Sequence, residues 1–167
     1  MAAGAVTGPA RRLLAALLLC SAAGCASAGS PAPDPAAEAA RVLDSLHEAA
    51  AAADGARYFS LFAPDAVFLG TDATERWTLE EFRAYAEPFF SRGKGWTYRP
   101  RDRHVSLSGD RRTAWFDERL DHERYGELRG TGVLRLLDGG WRVAQYNLAF
   151  PMPNEKVLEF LERTLGR

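Results

Sequence analysis

The sequence has few cysteines, no excess of basic charge and no hydrophobic run long enough to cross a bilayer. Its 167 residues contain two cysteines, Cys20 and Cys25, so the rest of the chain can form neither a disulfide framework nor a zinc-thiolate site. The 21 basic and 22 acidic residues give a formal net charge of −1. This balance disfavours nucleic-acid binding, because such a protein must neutralise phosphates. The three histidines lie on separate predicted elements and no glycine-rich phosphate loop occurs, so we expect neither a metal site nor a cofactor.

The first 24 residues have the pattern of a secretory signal peptide. Arg11 and Arg12 precede a short apolar run over residues 13–20, and small residues follow that run. This run is far shorter than the ~20 residues that a transmembrane helix needs. A basic start, a short apolar centre and a small-residue end are typical of export signals. We therefore expect the protein to be exported.

The end of this segment places small residues before a cysteine, in the order Ala22, Ala23, Gly24 and Cys25. This pattern resembles the bacterial lipobox. The resemblance implies that Cys25 is lipidated and anchors the mature protein to a membrane, in the periplasm or at the outer membrane. A rival cleavage after residue 28 would instead release a soluble periplasmic or secreted protein. We expect a signal peptide over residues 1–24, a flexible tether over 25–34 and one folded domain over 35–167.

Hydrophobic periodicity in the folded domain predicts helices first and strands afterwards. Apolar residues at spacings of three and four predict helices, supported by Pro35 after Asp34 and by a capping box at Thr78 and Glu81. A period of two, interrupted by glycine-containing turns, predicts strands. The predicted helices span residues 35–53, 56–62, 79–90 and 155–165, and the predicted strands span 66–69, 96–107, 112–121, 127–137 and 141–150. This order predicts an α+β fold.

Three stretches carry a family resemblance: Ala53-Asp54-Gly55, the run from Tyr58 to Val67, and the run from Gly139 to Val143. They resemble the nuclear transport factor 2-like superfamily, and its SnoaL-like branch in particular. The resemblance implies a cone-shaped, curved antiparallel sheet wrapped around three N-terminal helices, with a C-terminal helix added and a pocket at the open end. Motifs of this kind are structural, so they predict the fold better than the activity.

Counting by twos along the last predicted hairpin assigns side chains to the inner face of the sheet. Leu134 and Trp141 fall on one strongly apolar face, which predicts that this face covers the core. Continuing the count along the last strand places Gln145 and Asn147 on the same face. We therefore expect these two amides to point into the cone, where they could orient a ligand.

The preceding strand adds a carboxylate to the predicted inner face. Glu118 lies between Phe116 and Leu120 at a spacing of two. Burial among apolar neighbours would raise its pKa, which suits a general acid or base. We expect Glu118, His47 and Asp72 as candidate catalytic residues, although each also has a structural interpretation, as an ion-paired glutamate, a buried helix histidine and a turn aspartate. The predicted ligand pocket consists of Tyr58, Trp77, Phe82, Phe116, Gln145 and Asn147.

The opposite face of the predicted sheet mixes large apolar side chains with arginines. We expect Trp115, Val133 and Tyr146 to lie there and to form the interface of a two-fold homodimer, unless the C-terminal helix covers this face. An alternating set of arginines on the first long strand predicts a solvated edge or a weak anion-binding patch: Arg99, Arg101 and Arg103.

The sequence leaves more than one function class open. The leading hypothesis is a module that binds a small apolar or amphipathic molecule. The alternative is an enzyme of isomerase, cyclase or dehydratase type that uses a carboxylate base. In the superfamily's steroid isomerases the basic aspartate falls where Gly70 stands here, and Asp72 comes two residues later. A domain that acts only through its outer sheet face is a third possibility.

Overall fold

The computed structural model describes residues 1–4, which form no helix or strand, and residues 34–166. Most of the predicted signal peptide, nearly all of the tether and both cysteines lie outside the described residues. The helices are α1 (Pro35–Ala51), α2 (Gly55–Ser60), α3 (Leu79–Phe90) and α4 (Asn154–Leu165). The strands are β1 (Phe62–Leu69), β2 (Arg76–Thr78), β3 (Arg99–Leu107), β4 (Thr113–His122), β5 (Gly126–Leu137) and β6 (Gly140–Ala149).

Local capping determines where the first and third helices begin. The side chain of Asp34 accepts a hydrogen bond from the backbone N–H of Ala36 at 3.1 Å. Pro35 occupies the first helical position, where a missing N–H costs no helical hydrogen bond. Thr78 and Glu81 form the predicted capping box of α3, each side chain accepting from the other residue's backbone N–H.

The strands form one curved, open sheet in the order β2-β1-β6-β5-β4-β3. Neighbouring strands are antiparallel except for β1 and β6, which run parallel. Helices α1, α2 and α3 pack against the inner face, and their apolar side chains join those of the sheet in one buried core. The predicted α+β fold is therefore confirmed. The sequence did not predict β2, and β1 begins four residues before its predicted start.

A bulge in β6 interrupts the pairing of the last hairpin. Leu134 pairs with Val143 as the two-residue count predicts, but Val133 pairs with Gln145. Ala144 is therefore an extra residue on β6. One added residue moves every later side chain on that strand to the opposite face of the sheet.

This bulge corrects the predicted orientation of Gln145 and Asn147. Gln145 is exposed and Asn147 is only half-buried, whereas Tyr146 and Leu148 are buried in the core. The inward orientation expected for the two amides is therefore wrong, and so is the outward orientation expected for Tyr146. The count by twos failed because it assumed an unbroken strand.

A second irregularity turns Arg103 towards the inside of the cone. The β3–β4 register shifts just after Arg101, and Asp102 has a positive φ of 48°. Aspartate tolerates this left-handed conformation better than most residues. Arg101 consequently remains on the outer face, whereas Arg103 contacts the buried Glu118. The prediction that the alternating arginines share one face is wrong at Arg103.

The C-terminal helix buries none of its side chains in the described structure. Leu158, Phe160 and Leu165 are all exposed on it. Cover of the outer sheet face by α4, the alternative to a homodimer, is therefore not seen, and the homodimer itself stays a prediction. Among the described residues, no helix is both long and apolar enough to span a membrane.

Candidate functional site

Three polar side chains surround the buried carboxylate of Glu118. Its Oε1 accepts a hydrogen bond from the Tyr146 hydroxyl at 3.0 Å and lies 2.8 Å from Nε2 of His47. Its Oε2 accepts from Nε of Arg103 at 2.7 Å. These four residues, the Glu118 cluster, come from α1, β3, β4 and β6. Both oxygens of the carboxylate are thus occupied by protein groups.

Arg103 joins the Glu118 cluster to the middle of α1. Its Nη1 donates to the Asp44 carboxylate at 2.6 Å and to the backbone oxygen of Ala40 at 3.0 Å. Only 13% of the Arg103 side chain is exposed. Such burial of a charged side chain is tolerated because two carboxylates compensate it. Sequence reasoning missed this residue because nothing in the alternating pattern predicted the bulge at Asp102.

Gly130 provides the space that the Glu118 cluster occupies. It lies opposite Glu118 on β5. A Cβ atom at Gly130 would lie 2.5 Å from the Tyr146 hydroxyl oxygen and 3.0 Å from Oε1 of Glu118. Real Cβ atoms do not approach so closely without displacing a neighbour. The glycine therefore permits the hydrogen bond between Tyr146 and Glu118.

The charged neighbours of Glu118 determine its protonation state. Burial by itself raises the pKa of this carboxyl group, but hydrogen bonds and charges from His47 and Arg103 outweigh burial. The pKa of Glu118 is therefore lowered, and the predicted rise is wrong because it considered desolvation alone. Burial and the Glu118 carboxylate raise the pKa of Tyr146 far above its ordinary value, so its hydroxyl remains a donor.

The domain also contains a cavity of about 920 Å³. This volume is typical of sites for small molecules. Trp77 and Phe82, two of the predicted pocket residues, line the cavity, while Glu118 does not. The polar groups on its wall include Arg99, Arg124 and Glu123. The aromatic and imidazole rings that line it are those of Phe68, Trp77, Phe82, Tyr85, Trp96, Tyr98, His122, Tyr125 and Phe150.

A small void of about 20 Å³ lies between the Glu118 cluster and this cavity. His47 and Tyr146 line the void, and Phe68 and Tyr98 line both spaces. A void of this size holds about one water molecule when polar groups surround it. The buried cluster and the cavity are therefore adjacent but separate.

The remaining predicted site residues do not line the large cavity. Tyr58 is buried and lines only the small void. Phe116 is buried in the core, with its ring 5.6 Å from that of Tyr146. Asp72 lies in the exposed β1–β2 loop and accepts hydrogen bonds from the side chain and backbone of Thr74, which lower the pKa of Asp72. These contacts agree with the structural interpretation of Asp72 as a turn residue.

Comparison with known proteins adds one family match. A family model described as a SnoaL-like domain matches residues 40–153, from the second turn of α1 to the residue before α4. Among curated proteins, no match to this chain was found.

Solved structures resemble the fold at low sequence identity. A nuclear transport factor 2-like protein of unknown function from Pseudomonas putida is 17% identical with a TM-score of 0.61, covering 72% of this chain and 89% of that chain. A proposed dehydratase of the same family from Streptomyces avermitilis is 15% identical with a TM-score of 0.61, covering 71% and 96%. A proposed calcium/calmodulin dependent protein kinase II association domain from Xanthomonas campestris is 27% identical with a TM-score of 0.55, covering 74% and 92%.

Proposed function

Since this chain belongs to the SnoaL-like domain family, as its sequence motifs predicted, we propose that it is a binding module for a small, largely apolar molecule. The observation that carries this proposal is the cavity of about 920 Å³ with an aromatic lining. Aromatic side chains supply large apolar contact areas with few rotatable bonds, which favours ligand binding.

The position of the carboxylate supports binding over carboxylate catalysis. Glu118 lies outside the cavity lining, and both of its oxygens are engaged by His47, Arg103 and Tyr146. A general base must reach the proton that it removes. Glu118 meets this requirement poorly, because its lowered pKa and its hydrogen bonds both oppose proton uptake.

The binding proposal is tested by filling the cavity. Thr97 lines it, so Thr97→Trp should occupy part of its volume. Thermal unfolding of the full-length chain is measured with naphthalenemethanol, a neutral aromatic probe. A ligand at 100 times its Kd stabilises a folded protein by about 2.7 kcal/mol, which raises the melting temperature by roughly 5–10 °C at this size.

The matched control is Ser106→Trp, on an exposed residue that pairs with Trp115 on β4. We expect the probe to stabilise the wild type and Ser106→Trp but not Thr97→Trp. Equal stabilisation of all three proteins, or none of the wild type, would contradict binding in this cavity.

We further propose that the module is exported and lipid-anchored through Cys25, because residues 22–25 resemble a lipobox. A bacterial host expressing the full chain is grown with a fatty-acid label. The wild type and the control Cys20→Ser should carry the label and sediment with membranes. Cys25→Ser should lose both properties, and labelling that persists in Cys25→Ser would exclude this anchor.

A second candidate function, proton abstraction by His47, is favoured by the geometry around its ring. In the neutral form that a general base requires, the ring carries its proton on Nε2, which lies 2.8 Å from the Glu118 carboxylate. Nδ1 makes no hydrogen bond among the described residues, and the ring lines the small void beside the cavity. Since His47 does not line the cavity itself, it would act on a substrate through one water in that void. An imidazole oriented by a buried carboxylate is a common arrangement for general bases.

Hydrogen–deuterium exchange tests this second candidate without knowledge of the substrate. Acetonaphthone, whose methyl protons are acidic, is incubated with the protein in heavy water and followed by NMR. Proton abstraction predicts accelerated exchange by the wild type and by the control His104→Gln, which changes an exposed histidine. His47→Gln should show only the buffer rate. A wild type that exchanges no faster than buffer removes the enzyme hypothesis for this probe class.

A further inference from the structure

The cavity wall carries several polar groups that are free to contact a ligand, and most of them are hydrogen-bond donors. They belong to Tyr98, Arg99, His122 and Arg124, which line the cavity. A wall that offers more free donors than acceptors favours a ligand group rich in acceptors, such as a carboxylate. The contacts of each group determine which of its hydrogen-bonding atoms remain free.

Backbone contacts determine where His122 carries its proton. Its Nδ1 accepts hydrogen bonds from the backbone N–H groups of Arg124 and Tyr125, at 3.1 and 3.2 Å. A nitrogen that accepts a hydrogen bond carries no proton, so the neutral ring has its proton on Nε2. Nε2 donates to no group among the described residues. His122 therefore presents an N–H donor that the protein leaves unused.

Tyr98 is a second unused donor on the wall. Burial raises the pKa of Tyr98 to about 12, with smaller contributions from Tyr125 and Tyr85. The phenol therefore stays protonated over the physiological range. Its hydroxyl makes no hydrogen bond within residues 34–166. Its ring lies 5.2 Å from that of His122, so the two donors are neighbours.

Two arginines add positive charge near these donors. Neither Arg99 nor Arg124 has a carboxylate within 4.0 Å in the part of the chain that the structure describes, although Arg124 lies over the ring of Tyr125 at 5.4 Å. Of the two glutamates on the wall, Glu75 accepts a hydrogen bond from the backbone N–H of Asp72 and is engaged in its own loop. Its carboxylate still carries a charge, so Glu75 and the exposed Glu123 both oppose an anion, and the ligand's anionic group must lie closer to the four donors than to these two side chains.

The ring geometry indicates the shape of the ligand. Trp77 and Phe82 are within 9° of parallel and Phe68 lies within 15° of each, so these three rings form one layered wall. His122 and Tyr125 form a second stacked pair, at 24° and 4.7 Å. Parallel ring faces favour flat, conjugated partners that stack against them.

We propose that this cavity takes a flat aromatic anion, of which an aromatic carboxylate is the simplest form. The ring system stacks against the partly exposed rings of this layered wall, Phe68 and Trp77, with the buried Phe82 behind them. The carboxylate accepts hydrogen bonds from His122 and Tyr98 and is attracted by Arg99 and Arg124. This assignment rests on the proposed binding function and names the ligand class for the same site.

The test compares three probes of similar size by calorimetric titration of the full-length protein: naphthoate, naphthalenemethanol and decalin carboxylate. The first is flat and anionic, the second flat and neutral, and the third anionic but not flat. We expect naphthoate to bind about tenfold more tightly than either of the other probes, or better. Only naphthoate can both accept charge-assisted hydrogen bonds and stack on the aromatic wall.

Variants locate the charge effect. Arg99→Gln/Arg124→Gln should weaken naphthoate binding about tenfold and leave naphthalenemethanol binding unchanged. The control Arg41→Gln/Arg129→Gln removes the same charge from two exposed arginines that do not line the cavity, and should change neither. The single variant Arg124→Gln, with an intermediate effect expected, serves if the double variant does not fold.

Each of the other titration results would overturn one part of the proposal. If naphthalenemethanol binds as tightly as naphthoate, the cavity binds ligands but the anion assignment is wrong. If decalin carboxylate binds as tightly as naphthoate, the requirement for a flat ring is wrong. If no probe binds the wild type, the ligand class and the proposed binding function both fail.

Discussion

At the scale of single residues, Glu118 shows how neighbours can reverse the effect of burial. A carboxylate with no exposed side-chain area would ordinarily favour its neutral form. Here His47 and Arg103 make the anion the stable form. The same contacts that lower its pKa also occupy its oxygens, so its contribution is to orient His47 and to hold α1 against the sheet.

Glu118→Gln should destabilise the fold by about 3 kcal/mol at neutral pH, because it leaves the buried Arg103 without one of its two carboxylates. Urea unfolding measures the loss. The control is Glu127→Gln, which likewise removes an ion-paired carboxylate. Glu127 pairs with Arg101 and Arg119 at a more exposed site. Its effect should be much smaller, and equal losses in both variants would contradict the buried role.

The pH dependence of stability follows from the same carboxylate. The pKa of Glu118 is lower in the folded chain than its ordinary value of 4.5. Just below that pH the unfolded chain binds a proton that the folded chain does not, so this contribution to stability is present above about pH 4.5 and is lost as the pH falls through the folded pKa. Unfolding between about pH 6 and pH 3 should therefore show a steeper loss in the wild type than in Glu118→Gln. If the stability of both proteins fell equally with pH, the contribution assigned to Glu118 would be contradicted.

Gly130→Ala should destabilise the domain by about 1–3 kcal/mol, because the added methyl group overlaps the Tyr146 hydroxyl and the Glu118 carboxylate. Gly109→Ala is the control, since a Cβ there meets nothing within 4 Å. Denaturant midpoints measure both. A Gly130 variant as stable as the Gly109 variant would show that the cluster can shift to make room.

At the scale of secondary structure, two irregular strands decide which side chains enter the cone. The extra residue in β6 brings Tyr146 inward and sends Gln145 outward. The left-handed residue in β3 brings Arg103 inward. Without both irregularities, Glu118 would lack two of its three partners.

Asp102→Val should cost about 1–2 kcal/mol, because a β-branched residue is strained at the positive φ that Asp102 adopts. Asp102→Asn keeps a residue type that tolerates this conformation and should be nearly neutral. Unfolding free energies of the two variants test this. If both lose stability equally, the loss comes from the ion pairs of Asp102 with Arg101 and Arg119, and the backbone explanation fails.

At the scale of the whole molecule, the outer sheet face leaves apolar surface exposed. Trp115 is 50% exposed, and it pairs with Val133 of β5 on that face. Large exposed aromatics next to charged residues are common where proteins associate. The predicted homodimer would cover this surface.

Sedimentation of the full-length protein tests the homodimer. We expect a dimer for the wild type and a monomer for Trp115→Glu, because a buried charge at the centre of an interface is costly. Leu158→Glu on the exposed face of α4 is the control and should remain dimeric. A monomeric wild type would exclude the predicted homodimer. If only Leu158→Glu were monomeric, the dimer interface would lie on α4 instead of the sheet.

The amino-acid sequence by itself determined the order of the elements apart from β2, the N-terminal caps of α1 and α3, and the inward position of Glu118. These depend on spacing within one segment: Asp34 and Thr78 begin helices through their own neighbours, and Glu118 alternates correctly because β4 pairs with β5 without interruption. Family membership followed from local motifs for the same reason.

Only the tertiary structure decided which partners Glu118 has, which pKa results and which polar groups remain free on the cavity wall. A strand bulge is stabilised by pairing with another strand and by packing on both faces, so its position cannot be read from one segment. The two bulges at Asp102 and Ala144 bring Arg103 and Tyr146 to the carboxylate from opposite sides. That convergence depends on contacts between residues distant in the chain, so a local sequence pattern cannot predict it.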